Sequence, residues 1–144
     1  KRAAPEGHSG IGTTLSASLL AMAALHANLA EVMTPASYVT MLSTAEAIEA
    51  RLREVLASAA APWSITRLGA RMELQFCERT PQTGAQARAA MDGELEGALH
   101  LWLLNRGIVI TPFHNMLLVS PQTEPGDGER LASALGDFIE AVRA

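Results

Sequence analysis

Amines are nearly absent from this chain. Lys1 is its only lysine, and the other ten of its 11 basic residues are arginines. Chemistry that needs an internal amine nucleophile has one candidate, at the first position. Cysteine is as scarce: Cys77 stands alone, so no intrachain disulfide exists and a reducing, cytoplasmic compartment is expected. A basic excess is also missing. The net charge of -4 supplies no basic face, which excludes nucleic acid and anionic membrane surfaces as expected partners. Apolar runs are short and interrupted, so no transmembrane or secretory segment is expected. The histidines His8, His26, His100 and His114 lie far apart and lack metal-ligand spacing, so no metal site is expected. Ser16 has no nucleophile-elbow context, and no pair of acids stands out as general acid and base.

Against these absences stand 144 residues with 49% hydrophobic content, enough for about one packed domain. A helix is expected over residues 16–33, where Leu15, Leu19, Met22, His26, Leu29 and Met33 share a face and Leu20, Ala23 and Val32 widen it. A helix this apolar is expected to be buried on most sides, as at a domain junction or subunit contact, with His26 a packed core histidine. Thr34 and Pro35 restart the chain as cap and first helical residue. The next helix, over 35–59, carries the stripe Tyr38, Met41, Leu42, Ala45, Ile48, Leu52, Val55 and Leu56. Its charges, Glu46, Glu49, Arg51, Arg53 and Glu54, read as a solvated face.

Alternating polarity over 63–67 and 71–77 predicts two half-buried strands around a turn at Leu68, Gly69 and Ala70. Residues 86–92 fit either a helix or an irregular excursion. A helix follows over 94–105, ended by Arg106 and Gly107. Short strands are expected over 108–110 and 116–119, and a last helix begins at Pro125 or Gly128 with Leu131, Leu135, Phe138, Ile139 and Val142 inward. The order is α+β: a small antiparallel sheet of about three to four short strands covered by helices, preceded by a long linking helix.

Two stretches stand out as candidate sites. In the first, residues 8–24, Gly10 and Gly12 allow close backbone approach, and Thr13, Thr14 and Ser16 place hydroxyls where a helix begins. Free N–H groups and the helix dipole suit an anion there; the same residues also suit a plain N-cap. The second is residues 111–115, whose Phe113, His114 and Asn115 lie between apolar segments. Such a loop either faces a cleft or is a surface connection whose Phe113 plugs the core. Arg67 and Arg71 suit a bidentate carboxylate contact; a strand arginine paired with Glu73 or left in solvent is the commoner arrangement.

Residues 12–24, G-T-T-L-S-A-S-L-L-A-M-A-A, resemble the G-[ST]-T-[FL]-[SG]-[GA]-N-P-L-A-x-A-A segment of class III aminotransferases, fold type I enzymes that use pyridoxal 5′-phosphate. The glutamate-1-semialdehyde aminomutase-like branch is the most similar. Ser18 and Leu19 replace the usual Asn and Pro. Glu31-Val32-Met33 before Pro35, Leu103 to Ile108, and Leu118-Val119-Ser120 resemble later family segments in family order. The resemblance implies an aminotransferase or aminomutase acting on an amino acid or amino-ketone, assembled as a homodimer.

It implies residues 1–33 as the end of the large cofactor domain and linking helix, and 34–144 as the small C-terminal α+β domain. Thr14, helped by Thr13, would contact the cofactor phosphate across the dimer. Phe113, His114, Asn115 and Arg71 would lie on the substrate side. The family's cofactor-binding lysine and pyridine-pairing aspartate lie upstream of the Gly-Thr motif, and no residue here matches either. The chain is therefore expected to be part of an enzyme, not competent alone. The alternative is a non-catalytic binding or oligomerisation module that retains the fold.

Overall fold

A computed structural model of the chain describes residues 18–143. Their contacts separate two compact units at the boundary between Ser37 and Tyr38. In the first, α1 (Leu19–Ala27) starts after Ser18, whose extended backbone (φ -53°, ψ 129°) corrects the expected start at residue 16. The helix then widens into a π-helical turn, Asn28–Val32, closed by the Met33 N–H on the Asn28 carbonyl at 2.8 Å.

The cover expected for this helix, at a domain junction or subunit contact, is not among the described residues. Every residue from 19 to 32 is exposed, His26 included. Its sequence, L-L-A-M-A-A-L-H-A, is apolar all round, the pattern of a helix that other parts of an assembly cover on most sides. Thr34 Oγ1 accepts the Ser37 N–H at 3.2 Å and Ser37 Oγ donates to the Val32 carbonyl at 2.6 Å, so the chain is turned and capped as α2 (Pro35–Ser58) begins.

The second unit has a core. Met41, Ala45, Ile48, Leu52 and Leu56 of α2 are buried at spacings of three and four. Tyr38 and Leu42, expected in this stripe, are exposed. The strands β1 (Ser64–Leu68) and β2 (Arg71–Gln75) pair antiparallel, with Ile65 opposite Leu74 and Leu68 opposite Arg71. Gly69 turns the hairpin in the left-handed region (φ 63°), which a side chain would strain. β3 (Met116–Leu118) adds to the far side of β2, with Met72 opposite Leu117.

Pleating sends Ile65, Met72, Leu74 and Leu117 to one face. There they meet the buried residues of α2, Leu99 and Leu103 of α4 (Gly93–Leu104), and Leu131, Leu135, Phe138 and Ile139 of α5 (Pro125–Ala141). The other face stays open and presents Leu68 and Leu118. The fold is α+β, a three-stranded antiparallel sheet with helices.

Helix starts follow local chemistry. Thr83 Oγ1 accepts the Gln86 N–H at 3.2 Å ahead of α3 (Gly84–Ala89), so the uncertain 86–92 segment begins as a helix two residues early. Asp92 caps α4 through the Leu95 N–H at 3.0 Å. Glu124 and Asp127 form a reciprocal capping box around Pro125 at the start of α5. Arg143 donates to the Ala59 carbonyl and, at 2.9 Å, to the Ala60 carbonyl, satisfying the end of α2.

Four further expectations are corrected. Residues 108–110 form no ladder: Ile110 is buried, but Ile108 N–H returns to the Leu103 carbonyl, so the run fills core without pairing. Val142 lies past the end of α5 and is exposed, and β2 ends before Cys77. Glu49 is more than a solvated charge. Its side chain is 16% exposed and pairs with Arg53 at 2.7 Å and with Arg67 from β1. Burial pushes its carboxyl up, but hydrogen bonds from Arg67 and Arg53, then their charges, outweigh burial and hold it below the ordinary 4.5.

Candidate functional site

A cavity of about 300 Å³ opens beside β2, lined by Glu73, Gln75 and Phe76, by Arg88, Ala87 and Met91 near α3, by Glu96 of α4, and by His114 and Asn115. The loop ahead of β3 presents the last two. Thr111 closes that loop: its N–H bonds the Met116 carbonyl at 3.2 Å, its hydroxyl donates to the Phe113 carbonyl at 2.6 Å, and that oxygen accepts the Met116 N–H at 3.2 Å. Within it His114 (φ 59°) and Asn115 (φ 43°) both adopt the left-handed region. Two consecutive non-glycine residues there are uncommon, and such conformations concentrate at ligand sites. Asn115 is buried, and its Nδ2 donates to the Leu74 carbonyl at 3.4 Å, anchoring the loop to the sheet.

The expected substrate-side residues therefore separate. His114 and Asn115 line the cavity. Phe113 is 54% exposed and does not plug the core; it meets the His114 ring edge-on, with centroids 5.6 Å apart. Arg71 is outside the lining and pairs with Glu73, which is within it. Arg67 is committed to Glu49 and the Gly69 carbonyl. Thr13 and Thr14 lie outside the described residues.

Arg88 and Glu96 were not singled out from sequence. Arg88 falls in residues 86–92, which fit either a helix or an irregular excursion, and Glu96 reads as an ordinary first-turn acid. Their shared cavity is a tertiary fact; a signal for Arg88 would have been the Thr83 cap that fixes α3. Among the described residues no group of His, Cys, Asp and Glu could hold a metal ion, and no helix is long and apolar enough to cross a membrane. They include no lysine, so they offer no covalent seat for an aldehyde cofactor; their polar set suits a wall of a small-molecule cleft.

This three-stranded antiparallel sheet with its helices matches the C-terminal domain of fold type I pyridoxal-phosphate enzymes. The chain is homologous to the C-terminal part of class III aminotransferases, which are pyridoxal-phosphate-dependent. A glutamate-1-semialdehyde aminomutase structure from Pseudomonas aeruginosa PAO1, in complex with PMP, superposes with a TM-score of 0.82 at 41% identity, over 97% of this chain and 31% of that one. The β-phenylalanine aminotransferase structure from Variovorax paradoxus superposes with a TM-score of 0.76 at 30% identity, also over 97% and 31%.

In sequence, the β-phenylalanine transaminase of Variovorax paradoxus is 31% identical over 138 residues, 96% of this chain and 31% of its own length. A glutamate-1-semialdehyde 2,1-aminomutase of Anaeromyxobacter sp. (strain K) is 30% identical over 144 residues, 99% of this chain and 33% of its own length. The chain thus spans about a third of the curated relatives it matches. No protein-family model matches it.

Proposed function

We propose that this chain is the C-terminal region of a pyridoxal-phosphate-dependent aminotransferase or aminomutase and forms one wall of the substrate cleft. The observation that carries the reading is the match to such enzymes, which runs through 97% of the chain at 41% identity. When bound, the cofactor supplies the electron sink for chemistry at the amino-bearing carbon. Thr14, with Thr13 beside it, donates hydroxyl hydrogen bonds to the cofactor phosphate of a partner subunit. His114 and Asn115 face substrate from their strained loop, with the exposed Phe113 ring edge-on to His114. Arg71 acts through Glu73, holding that carboxylate against the sheet.

The division into 1–33 and 34–144 assigns the first part to the cofactor domain and linking helix. The exposed apolar surface of α1 supports its place at a domain junction or subunit contact in a cytoplasmic homodimer. The names of the relatives suggest the substrate class: β-phenylalanine and glutamate-1-semialdehyde are both amino compounds with one free carboxylate.

The test uses the whole protein that contains this chain. The proposal expects bound pyridoxal phosphate, visible by its absorbance, turnover of β-phenylalanine with a keto-acid acceptor, and faster cofactor loss on dialysis in Thr14→Ala. A whole protein that neither binds the cofactor nor turns over an amino donor would favour the non-catalytic module.

A further inference from the structure

Asn115 is 4% exposed, yet it lines the open cavity beside β2. Two hydrogen bonds hold it on the strand. The Leu74 N–H donates to the Asn115 backbone carbonyl, and Asn115 Nδ2 donates to the Leu74 carbonyl, both at 3.4 Å. The side-chain amide is thereby fixed in one orientation, because turning it over would set its oxygen against the Leu74 carbonyl oxygen. Oδ1 faces away from that carbonyl and accepts no hydrogen bond among the described residues. The inner side of Asn115 offers no donor: Leu99, Leu103, Ile110 and Leu117 lie there. Nor is Oδ1 sealed in the core, since His100 Nδ1 is the one fully buried side-chain nitrogen or oxygen without a partner among the described residues. The unpaired oxygen therefore opens on the cavity that Asn115 lines.

An acceptor held in a largely desolvated place costs free energy that a matching donor recovers. Glu73 in the same lining is already paired with Arg71, and Arg88 is exposed, so neither is desolvated and unpaired as Asn115 is. The apolar lining from Leu74, Phe76, Ala87 and Met91 suits a hydrocarbon body. We infer that Asn115 is a specificity-determining residue of this cavity: its Oδ1 accepts a hydrogen bond from a hydroxyl or N–H group on a small, mainly apolar ligand. A ligand whose polar atom can only accept would leave two oxygens facing each other and is disfavoured. That this ligand is the amino substrate rests on the reading of the cavity as the substrate side of a pyridoxal-phosphate enzyme.

The experiment compares two isomers that differ in the donor. 3-Phenylpropan-1-ol carries a hydroxyl; 2-phenylethyl methyl ether has the same atoms and an oxygen that only accepts. Calorimetry on the whole protein measures both. The wild type binds the alcohol about 3- to 10-fold more tightly than the ether, the scale of one neutral hydrogen bond. Asn115→Gly removes the amide but still permits the left-handed backbone at this position (φ 43°). It abolishes the preference by weakening the alcohol and leaves the ether within about twofold, which also shows that the cavity is intact. Asn115→Asp keeps an acceptor oxygen on the same side-chain frame and restores most of the preference.

Equal binding of the two isomers by the wild type, as when a water already serves the oxygen, would overturn the inference. So would no binding of either, a preference that survives in Asn115→Gly, or equal loss of both isomers in that variant, which would make Asn115 a prop of the loop alone. The enzyme reading fails separately, by absence of bound cofactor and of turnover, and neither of those bears on the alcohol preference.

Discussion

The helices α1 and α5 are both rich in leucine and alanine, yet no residue of α1 is buried, while Leu131, Ala132, Ala134, Leu135, Phe138 and Ile139 of α5 all are. In α5 the apolar positions recur at three and four and alternate with Glu129, Arg130, Asp137 and Glu140. That arrangement gives the helix one inward face, and the sheet and α2 are its counterpart. In α1 apolar residues occupy every face, so composition promises burial but names no partner. Amount of apolar surface and its periodicity are different information, and only the second locates a core within a unit.

The sharpest way to break the contrast is to cut into α5. Phe138 is 2% exposed and lies against Trp63 and Trp102, with ring centroids at 6.3 and 5.8 Å. Phe138→Ala removes the ring and leaves a cavity, and is expected to lower unfolding stability by about 3–5 kcal/mol. Urea unfolding followed by the tryptophans measures it directly. A loss under about 1 kcal/mol would mean that the α5 face is not the core it looks to be.

A smaller effect probes how closely α5 meets α2. A Cβ at Gly128 would stand 2.8 Å from Ile48 Cγ1 and 3.6 Å from its Cδ1. Gly128→Val is expected to destabilise by about 1–3 kcal/mol through overpacking. Adding Ile48→Ala should recover part of that loss, so the double mutant is more stable than the two single effects predict when summed. Simple additivity would place the strain elsewhere.

How much of this was legible before the structure follows the same division. The α2 stripe, the hairpin, α4 and α5 could be read because each has a period that matches its element, and their residues converge on one core. The run 108–110 could not, because apolar β-branched residues fill a core equally well with or without ladder hydrogen bonds. The exposure of α1 could not, because a helix apolar on all sides looks the same whether its cover lies in the same unit or outside it. At the candidate site, His114 and Asn115 were visible as polar residues between apolar segments. Their consecutive left-handed backbone was not, since neither is glycine. Arg88 and Glu96 were hidden for a simpler reason: only the packing of α3 and α4 beside β2 puts them around one cavity. Glu49 was misjudged by periodicity alone, since its partner Arg67 comes from a different element.

That misjudged charge supplies the next test, one set by pH. The folded carboxyl of Glu49 titrates below its ordinary 4.5. A depressed acid contributes stability that is present above its unfolded value and is lost as pH falls through the folded one. Glu49→Gln is therefore expected to cost about 1–2 kcal/mol near neutrality, the scale of charge-assisted hydrogen bonds to a largely buried group. The gap between variant and wild type should close as pH drops below 4.5. Urea midpoints across that range decide it; a gap that stays constant would assign the loss to packing.

The smallest expected effect falls on α1 and sharpens the contrast most. Leu19 and Leu20 are 88% and 81% exposed, so removing their side chains takes away no buried area within the described residues. Leu19→Ser and Leu20→Ser should each leave unfolding of the second unit unchanged within about 0.5 kcal/mol. The same substitution at Leu131 or Leu135, both buried in α5, should cost several times that through the lost transfer energy and the cavity left behind. If the α1 variants cost as much as the α5 variants, α1 contributes to the same cooperative core, and its all-round apolar surface would have to be counted with that core.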